Sequence, residues 1–297
     1  MSRDLARPAV NFAFEHAAQT IINAKRSENT RKAYRADLAR WVQFCYETGA
    51  DPLRPPLDAS TLFRDHLTAS LANESARRVL AAISAIYRVL LQTGAVRANP
   101  FHPAVLAWPA PGNLTKTQIV ADATAEAMIR DAVEDANDVR GARDAAILRL
   151  LYDTGLRRAS VAQILRAAYS DGSLRTAVKG DKEVELALPT TTTSAVEYWL
   201  RVAQPSPFMF YGKSVNKAIN VTMLNKIVAQ RAKAVGAKHV HPHCFRAAFV
   251  TAAYDAGLPE REIQGAVHHS DPKTTRRYDR GARGLTVAAK VAAHRKP

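Results

Sequence analysis

Residues 141–165 have the sequence GARDAAILRLLYDTGLRRASVAQIL. The apolar residues recur at the three- and four-residue spacing of a helix, and the pattern is interrupted at Thr154-Gly155. A glycine directly after a helical run is typical of a helix end. The stretch therefore predicts two helices joined by a tight turn, with Arg157 at the opening of the second helix.

The chain before this stretch is also predicted to be helical, from Glu15 to about Gly94. Three segments carry the pattern: SENTRKAYRADLARWVQFCYETG (27–49), STLFRDHLTASL (60–71) and ESARRVLAAISAIYRVLLQTG (74–94). Ser27 or Asn29 is expected to cap the first of them, and Gly49 to end it. The third is expected to bury one apolar face, formed by Val79, Ile83, Ile86, Tyr87, Leu90 and Leu91.

The composition changes at residues 98–113, ANPFHPAVLAWPAPGN, which contain four prolines and one glycine. Such a stretch predicts an extended linker between two domains. We place the boundary near residue 112, with a helical N-terminal domain over 1–112 and a second domain over 113–297.

The second domain is predicted to contain one small sheet among further helices. LRTAV (174–178) and EVELAL (183–188) are rich in β-formers, and KGDK between them suits a hairpin turn. Helices are expected again from about Thr192 and over 222–234. The predicted fold class is therefore mainly α, in two domains, with a small β-sheet in the C-terminal domain.

Charge is the most informative bulk property. The 297 residues include 42 Lys and Arg against 27 Asp and Glu, a net charge of +15, and both domains are basic. This balance favours a polyanionic partner, most commonly nucleic acid. No apolar run approaches the ~20 residues of a membrane span, and we see no secretory signal. Two distant cysteines, Cys45 and Cys244, indicate no disulfide framework and favour a reducing cytoplasm.

Four separated segments carry groups suited to phosphate chemistry. The first places Arg157 after the glycine turn, and the second places Lys179 at the tip of the predicted hairpin. In the third, HPHCFR (241–246), His243 and Arg246 share one helix face. The fourth, VHHSDPKTTRRYDR (267–280), has His269 just before a helix predicted to start at Asp271-Pro272, with Tyr278 about two turns inside it. Each feature alone is common in ordinary proteins, so their shared order and spacing carry the inference.

In these segments the sequence closely resembles the tyrosine recombinase (phage integrase) family. TGLR, KGDK, HCFR and HHS followed by TTRRY match the motifs of that family, and SENTRKAYRADLARWVQF is similar to the first helix of its core-binding domain. The resemblance covers roughly residues 15–280. It implies a two-domain DNA clamp, in which a helical, SAM-like core-binding domain is followed by an α+β catalytic domain.

The resemblance also implies roles for six residues. Tyr278 would be the nucleophile that forms a 3′-phosphotyrosine intermediate, and Arg157 and Arg246 would bind the non-bridging oxygens of the scissile phosphate. Lys179 would protonate the departing 5′ oxygen, His243 would assist as acid or base, and His269 would bond the phosphate. No metal and no cofactor is expected.

Three positions depart from the family pattern. Ser160 stands where the family usually has an acidic residue, His268 where it has glycine, and Ala247 where a histidine is common. The loss of the acid is expected to alter the packing or tuning of Arg157.

The expected partner is double-stranded DNA, with four protomers of the chain in the DNA synapse and no membrane. The residues predicted to contact DNA are basic: Lys25, Arg26, Arg31, Lys32, Arg35, Arg77, Arg78, Arg276 and Arg277. A site-specific DNA recombinase is the favoured function. Two alternatives stay open, a type IB topoisomerase-like nicking and closing enzyme and a catalytically silent DNA-binding protein. Zinc bound by the histidines with Cys244 is a disfavoured alternative, because the spacing fits no standard site.

Overall fold

A computed structural model describes residues 12–111, 118–178 and 182–267. The chain divides into two compact units, Met1–Thr115 and Lys116–Pro297. The predicted boundary near residue 112 falls in a segment, 112–117, that lies outside the described residues. The predicted fold class is confirmed, because helices dominate both units and the second holds the small sheet.

Residues 12–111 of the first unit form four helices: α1 Phe12–Asn23, α2 Glu28–Thr48, α3 Ala59–Ser70 and α4 Asn73–Gln92. Gly49 ends α2 in the left-handed conformation, with φ of 72°, as its position after the helical run predicts. Ser27 occupies the N-cap position of α2, but its side chain makes no capping hydrogen bond. Asn29 lies inside the helix, so neither predicted cap is realised through its side chain.

Aromatic side chains fill the centre of this unit. The Trp41 ring lies 4.9 Å, centroid to centroid, from both Phe63 and Phe101. The apolar face predicted for α4 is buried except at its last position, where Leu91 is 44% exposed. The prediction for Leu91 is wrong because Leu91 lies 100° around the helix from Leu90 and falls outside the buried face.

The proline-rich stretch is not an extended linker over residues 99–108. Phe101 and Leu106 are buried in the core of the first unit. Asn99 fixes the path of the chain there, since its amide donates to the Ser84 carbonyl at 3.0 Å and its oxygen accepts from the Phe101 amide at 3.0 Å. The prediction of a linker was based on the number of prolines and overlooked the apolar side chains between them, which belong to the core of the first unit.

The second unit is larger and combines helices with the sheet. In chain order it comprises α5 Asp122–Val133, α6 Asp138–Thr154, α7 Arg158–Ala162, β1 Tyr169–Ser170, β2 Ser173–Val178, β3 Lys182–Ala187, α8 Thr190–Val202, α9 Val221–Ala234, α10 Pro242–Asp255 and α11 Glu260–Val267. The predicted break at Thr154-Gly155 is confirmed as the junction of α6 and α7. No helix in the described part of the chain is both long and apolar enough to cross a membrane.

The three strands form one antiparallel sheet in the order β1-β2-β3. The predicted hairpin is confirmed, since Thr176 pairs with Val184 and Val178 with Lys182. Its turn, residues 179–181, lies outside the described residues. Strand β1 is an addition to the prediction, because two residues are too few to show a periodic pattern.

A buried arginine joins three helices of the second unit. Arg231, on α9, donates to Asp144 on α6 at 2.8 and 3.0 Å and to the Asp131 carboxylate on α5 at 3.1 Å. It also donates to Asp135, just after α5, at 2.5 Å. Both Asp135 and Asp144 are almost fully buried. We call these four residues the Arg231 cluster.

Gly155 offers a direct test of the turn between α6 and α7. Its φ is +60°, and a Cβ there would lie 2.6 Å from Cδ1 of Phe249. We expect Gly155→Ala to lower the free energy of unfolding by about 2–3 kcal/mol, through the left-handed backbone and the forced repacking. Chemical denaturation of the purified protein, followed by amide hydrogen exchange in each unit, measures this loss.

Gly49→Ala is the matched control, because Gly49 has a similar φ of +72° but no atom within 4 Å of the added Cβ. It should show only the backbone cost of about 1–2 kcal/mol. Equal losses in the two variants would contradict the clash with Phe249.

Candidate functional site

The turn after α6 positions Arg157. Gly155 reverses the chain in the left-handed conformation, the next residue, Leu156, is buried, and Arg157 follows with extended backbone at the start of α7. The amide of Leu156 donates to the hydroxyl of Thr154 at 3.3 Å, which stabilises the turn. Arg157 is half-buried and directly precedes α7, as predicted, although α7 has only five residues.

Helix α10 supplies the second pair of predicted site residues. Pro242 occupies the first turn, where a missing amide hydrogen costs nothing. His243 follows and is exposed, whereas Arg246, one turn later, is 2% exposed. The two side chains lie on one face of the helix, as their spacing predicts.

Arg246 connects the separate motifs. One of its terminal nitrogens donates to the carbonyl of Gly155 at 2.6 Å, and the other donates to the carbonyl of Val267. Gly155 belongs to the TGLR turn, and Val267 is the last residue of α11, two positions before His269. One buried guanidinium therefore holds three of the four motif segments together.

The surroundings of His243 are strongly positive. Although His243 is exposed, partial loss of hydration where it packs against the protein lowers its pKa below the ordinary value of about 6.5, and the nearby groups of Arg246, His241, Arg158 and Arg157 lower it further. Arg157, His243 and Arg246 are thus brought to one place by two different stretches of chain, the turn before α7 and the start of α10. At neutral pH the imidazole of His243 is held in its neutral form.

Arg158 belongs to these surroundings, and sequence reasoning did not select it. Its side chain is exposed, and its Nη1 donates to Oδ1 of Asn225 on α9 at 3.0 Å. The one available signal was the doubled arginine after TGL, which gave no reason to separate Arg158 from an ordinary surface residue.

Several predicted residues lie outside the described part of the chain. They are Lys179, His269, Tyr278, Arg276 and Arg277, together with His268 among the departures from the family pattern. Their assignments stay predictions.

In the first unit, several of the basic residues predicted to contact DNA already have partners. Arg31 and Arg35 both bond the carboxylate of Glu28, at 3.4 and 3.1 Å. The Lys25 ammonium lies 4.6 Å from the centroid of the Tyr34 ring. The two remaining residues at this end of α2, Arg26 and Lys32, are exposed.

Arg77 and Arg78, on α4, are also held by protein groups. Arg77 donates to the Pro109 carbonyl at 2.7 Å and lies over the Trp108 ring at 5.8 Å. Arg78 is paired with the buried carboxylate of Asp37 while half of its own side chain is exposed. The exposed part of Arg78 is available to a phosphate, whereas Arg77 is largely committed to the chain around Trp108.

The departures from the family pattern occupy different environments. Ala247 is fully buried in a small apolar cluster that includes Ile263 and Val267. Ser160 is half-buried on α7.

The cysteine of the disfavoured zinc alternative is not exposed. Cys244 is fully buried, and burial raises the pKa of its thiol. Among the described residues no group of three or more His, Cys, Asp and Glu side chains is placed to bind a metal ion.

Two family models match the chain. The phage integrase family model matches residues 122–283, and the model of the phage integrase N-terminal SAM-like domain matches residues 18–94. The chain is 30% identical to the tyrosine recombinase XerC of Azotobacter vinelandii over 85% of each chain. It is 28% identical to the tyrosine recombinase XerD of Shewanella oneidensis, over 86% of this chain and 87% of the relative.

Solved structures support the fold at lower sequence identity. The integrase of transposon Tn1549 in complex with circular intermediate DNA is 16% identical, with a TM-score of 0.71 over 94% of this chain and 98% of that one. XerH site-specific recombinase bound to a palindromic difH substrate is also 16% identical, with a TM-score of 0.73 over 94% and 84%.

The fold and the family matches define the class of this protein: it belongs to the phage integrase family. Within that family it is a tyrosine-type site-specific recombinase, similar to proteins named XerC and XerD. Both predictions from the sequence motifs, the family and the enzyme class, are confirmed.

The lowered pKa of His243 leads to a pH prediction. In the free protein we expect the imidazole to gain its proton only as the pH falls below the ordinary value of about 6.5. A bound phosphate neutralises the surrounding charges of Arg157, Arg158, Arg246 and His241, so DNA binding should raise this pKa and take up a proton. DNA affinity should therefore increase as the pH falls from about 6.5 towards the pKa of the free protein.

Titration of the His243 ring by NMR, with and without DNA, measures both values. His243→Asn is the control, in which this part of the pH dependence of binding should disappear. A His243 that titrates at or above 6.5 in the free protein would contradict the prediction.

Proposed function

We propose that this chain cleaves and rejoins double-stranded DNA through a phosphodiester bond to Tyr278, with Arg157 and Arg246 binding the scissile phosphate. The observation that carries the proposal is the Arg246 guanidinium, which bonds the Gly155 and Val267 carbonyls. Through these two bonds Arg246 connects the TGLR turn, α10 and the end of α11.

The chemistry requires a negatively charged transition state to be stabilised. Tyr278 attacks phosphorus with its phenol oxygen, and the bond from phosphorus to the 5′ oxygen breaks. The phenol proton must be removed, because its ordinary pKa is near 10, and the neutral His243 is suited to assist. Lys179 gives a proton to the departing 5′ oxygen. General acid help of this kind is worth roughly 10²–10⁴-fold in rate.

The phosphotyrosine bond preserves the energy of the broken phosphodiester. Rejoining reverses the two steps, as the 5′ hydroxyl of the partner strand attacks phosphorus and Tyr278 leaves with a proton. The reaction written in this way needs neither ATP nor a metal ion.

The proposal extends to the assembly on DNA. The basic residues of both units bind phosphates of one duplex, and four protomers bring two duplexes together in the cytoplasm. The solved complexes of structurally similar proteins with DNA support duplex DNA as the ligand. Light scattering of the protein with its DNA site should give the mass of four chains on two duplexes.

Covalent trapping on DNA tests the chemistry. The substrate is the binding site that this protein enriches from a pool of random duplexes, with a nick placed so that the cleaved end diffuses away. Wild-type protein should accumulate an adduct that resists denaturation, and Tyr278→Phe should give none while binding DNA with unchanged affinity. Peptide mapping of the adduct then identifies the linked residue.

Other outcomes overturn the proposal. An equal adduct from both proteins would place the nucleophile elsewhere, and no adduct from a wild type that binds tightly would favour a silent DNA-binding protein. Two intact copies of the site distinguish a recombinase from a topoisomerase-like nicking and closing enzyme. A recombinase joins strands of two duplexes, whereas a nicking and closing enzyme only relaxes a supercoiled circle.

A further inference from the structure

Arg158 bonds a neutral side chain rather than a carboxylate. Its partner Asn225 is a neutral amide, 67 positions later in the chain. Arg149 and Arg231 of the same unit do pair with carboxylates, since Arg149 bonds Glu126 at 2.7 and 2.8 Å and Arg231 bonds three aspartates. Arg166, Arg201 and Arg246 resemble Arg158 in that each contacts a neutral group. Within the described residues Arg158 forms no ion pair. The bond to Asn225 orients the guanidinium and leaves its full charge and most of its donors open to an anion.

His241 belongs to the HPHCFR motif, two positions before His243. It is exposed and precedes Pro242 with extended backbone, φ −142° and ψ 165°. Arg246 on α10 bonds the carbonyl of Gly155, so the turn that leads to Arg158 lies against the helix that follows His241. Arg158 directly follows Arg157, and His241 lies two positions before His243, so both are exposed neighbours of the residues proposed to bind the scissile phosphate.

We propose that Arg158 and His241, with Asn225 as the positioning residue, form a second phosphate-binding site beside the one that holds the scissile phosphate. The ligand is a DNA phosphate that neighbours the scissile one. This inference rests on the proposed function, which places the cleaved phosphate at Arg157, His243 and Arg246.

The physical basis is the spacing of charge along a DNA strand. Every nucleotide carries one phosphate, so a protein that holds one phosphate has its neighbours close by. A guanidinium binds two phosphate oxygens at once and fixes their orientation. The second site would therefore set the register of the strand, and so the position of the scissile phosphate, without taking part in bond breaking.

Neutral phosphate analogues test the site. One phosphate at a time, on each side of the scissile position, is replaced by a methylphosphonate, which removes its charge and keeps the strand intact. Wild-type protein should lose affinity and adduct formation when the phosphate at the second site is replaced. The Arg158→Gln protein should bind normal DNA with roughly tenfold lower affinity, and its affinity should not change further when that one phosphate is replaced. Its salt slope should fall by about one.

Companion variants define the roles. His241→Gln should lose sensitivity at the same phosphate, and Asn225→Ala should show a smaller loss there because the arginine keeps its charge. Arg201→Gln is the control, since Arg201 is an exposed arginine of the same unit whose guanidinium lies over the Tyr198 ring. It should respond to every replacement as the wild type does.

Three results overturn the inference. The first is Arg158→Gln responding to all replacements like wild type, and the second is an equal loss with Arg201→Gln. The third is a uniform loss at every position together with a lower melting temperature, which would mean a structural role. Failure of the proposed function is separable, because it removes the wild-type adduct on normal DNA while the binding measurements still decide on the second site.

Discussion

The substitution Arg246→Ala is expected to slow strand cleavage and also to lower the stability of the second unit. The guanidinium is buried and bonds the carbonyls of Gly155 and Val267. Its removal leaves two buried carbonyls without these donors, at about 1–3 kcal/mol each. Loss of one transition-state cation should in addition cost on the order of 2.7–4 kcal/mol of barrier, or roughly 10²–10³-fold in rate.

Arg246→Lys separates the two effects. Lysine keeps the positive charge but cannot reproduce the flat fork that reaches both carbonyls. We expect it to retain more cleavage than alanine while it still loses stability. The rate of covalent adduct formation at saturating protein, measured beside the denaturation midpoint, distinguishes the losses. A folded Arg246→Ala protein that cleaves at the wild-type rate would refute the assigned role.

Arg231→Ala is expected to destabilise the second unit by about 3–5 kcal/mol, the typical cost of removing one partner from a buried ion pair. The substitution leaves the buried carboxylates of Asp135 and Asp144 without the arginine that joins them. Arg140 and Arg143 still bond these two carboxylates but cannot replace the connection to α9. The loss should appear as faster amide exchange in α5, α6 and α9.

Arg140→Ala is the control, because Arg140 bonds the same Asp135 from an exposed position. Its effect on stability should be much smaller, because Asp135 keeps its bond to Arg231 and the lost partner is an exposed side chain. Similar losses of stability in the two variants would mean that the burial of Arg231 does not increase its contribution to the free energy of unfolding. DNA contacts should be unaffected where the protein stays folded.

Local patterns predicted most of the helices, because an apolar stripe and a terminal glycine are properties of neighbouring residues. Gly49 and Gly155 both end helices in the left-handed conformation, as their positions suggested. Strand β1 was missed because two residues carry no period. The path of residues 99–108 was missed because it depends on Asn99 meeting Ser84, a contact that no local pattern contains.

The candidate site divides in the same way. Arg157, His243 and Arg246 were selected by motif, and their convergence depends on the Gly155 and Val267 carbonyls, which a sequence pattern does not display. Arg158 was missed because its significance lies in a neutral partner on another helix. The roles of Lys179, His269 and Tyr278 remain predictions from the motif alone.

The packing of the proline-rich segment decides where hybrid enzymes can be joined. The matched N-terminal family model ends at residue 94, yet Phe101 and Leu106 fill the centre of the first unit and Pro109 accepts a bond from Arg77. If the N-terminal domain of a relative were joined at residue 94, it would lack its own core residues equivalent to Phe101 and Leu106. It would have to pack against the Phe101 and Leu106 of this chain instead. Retargeting by module exchange should therefore place the seam after Pro109.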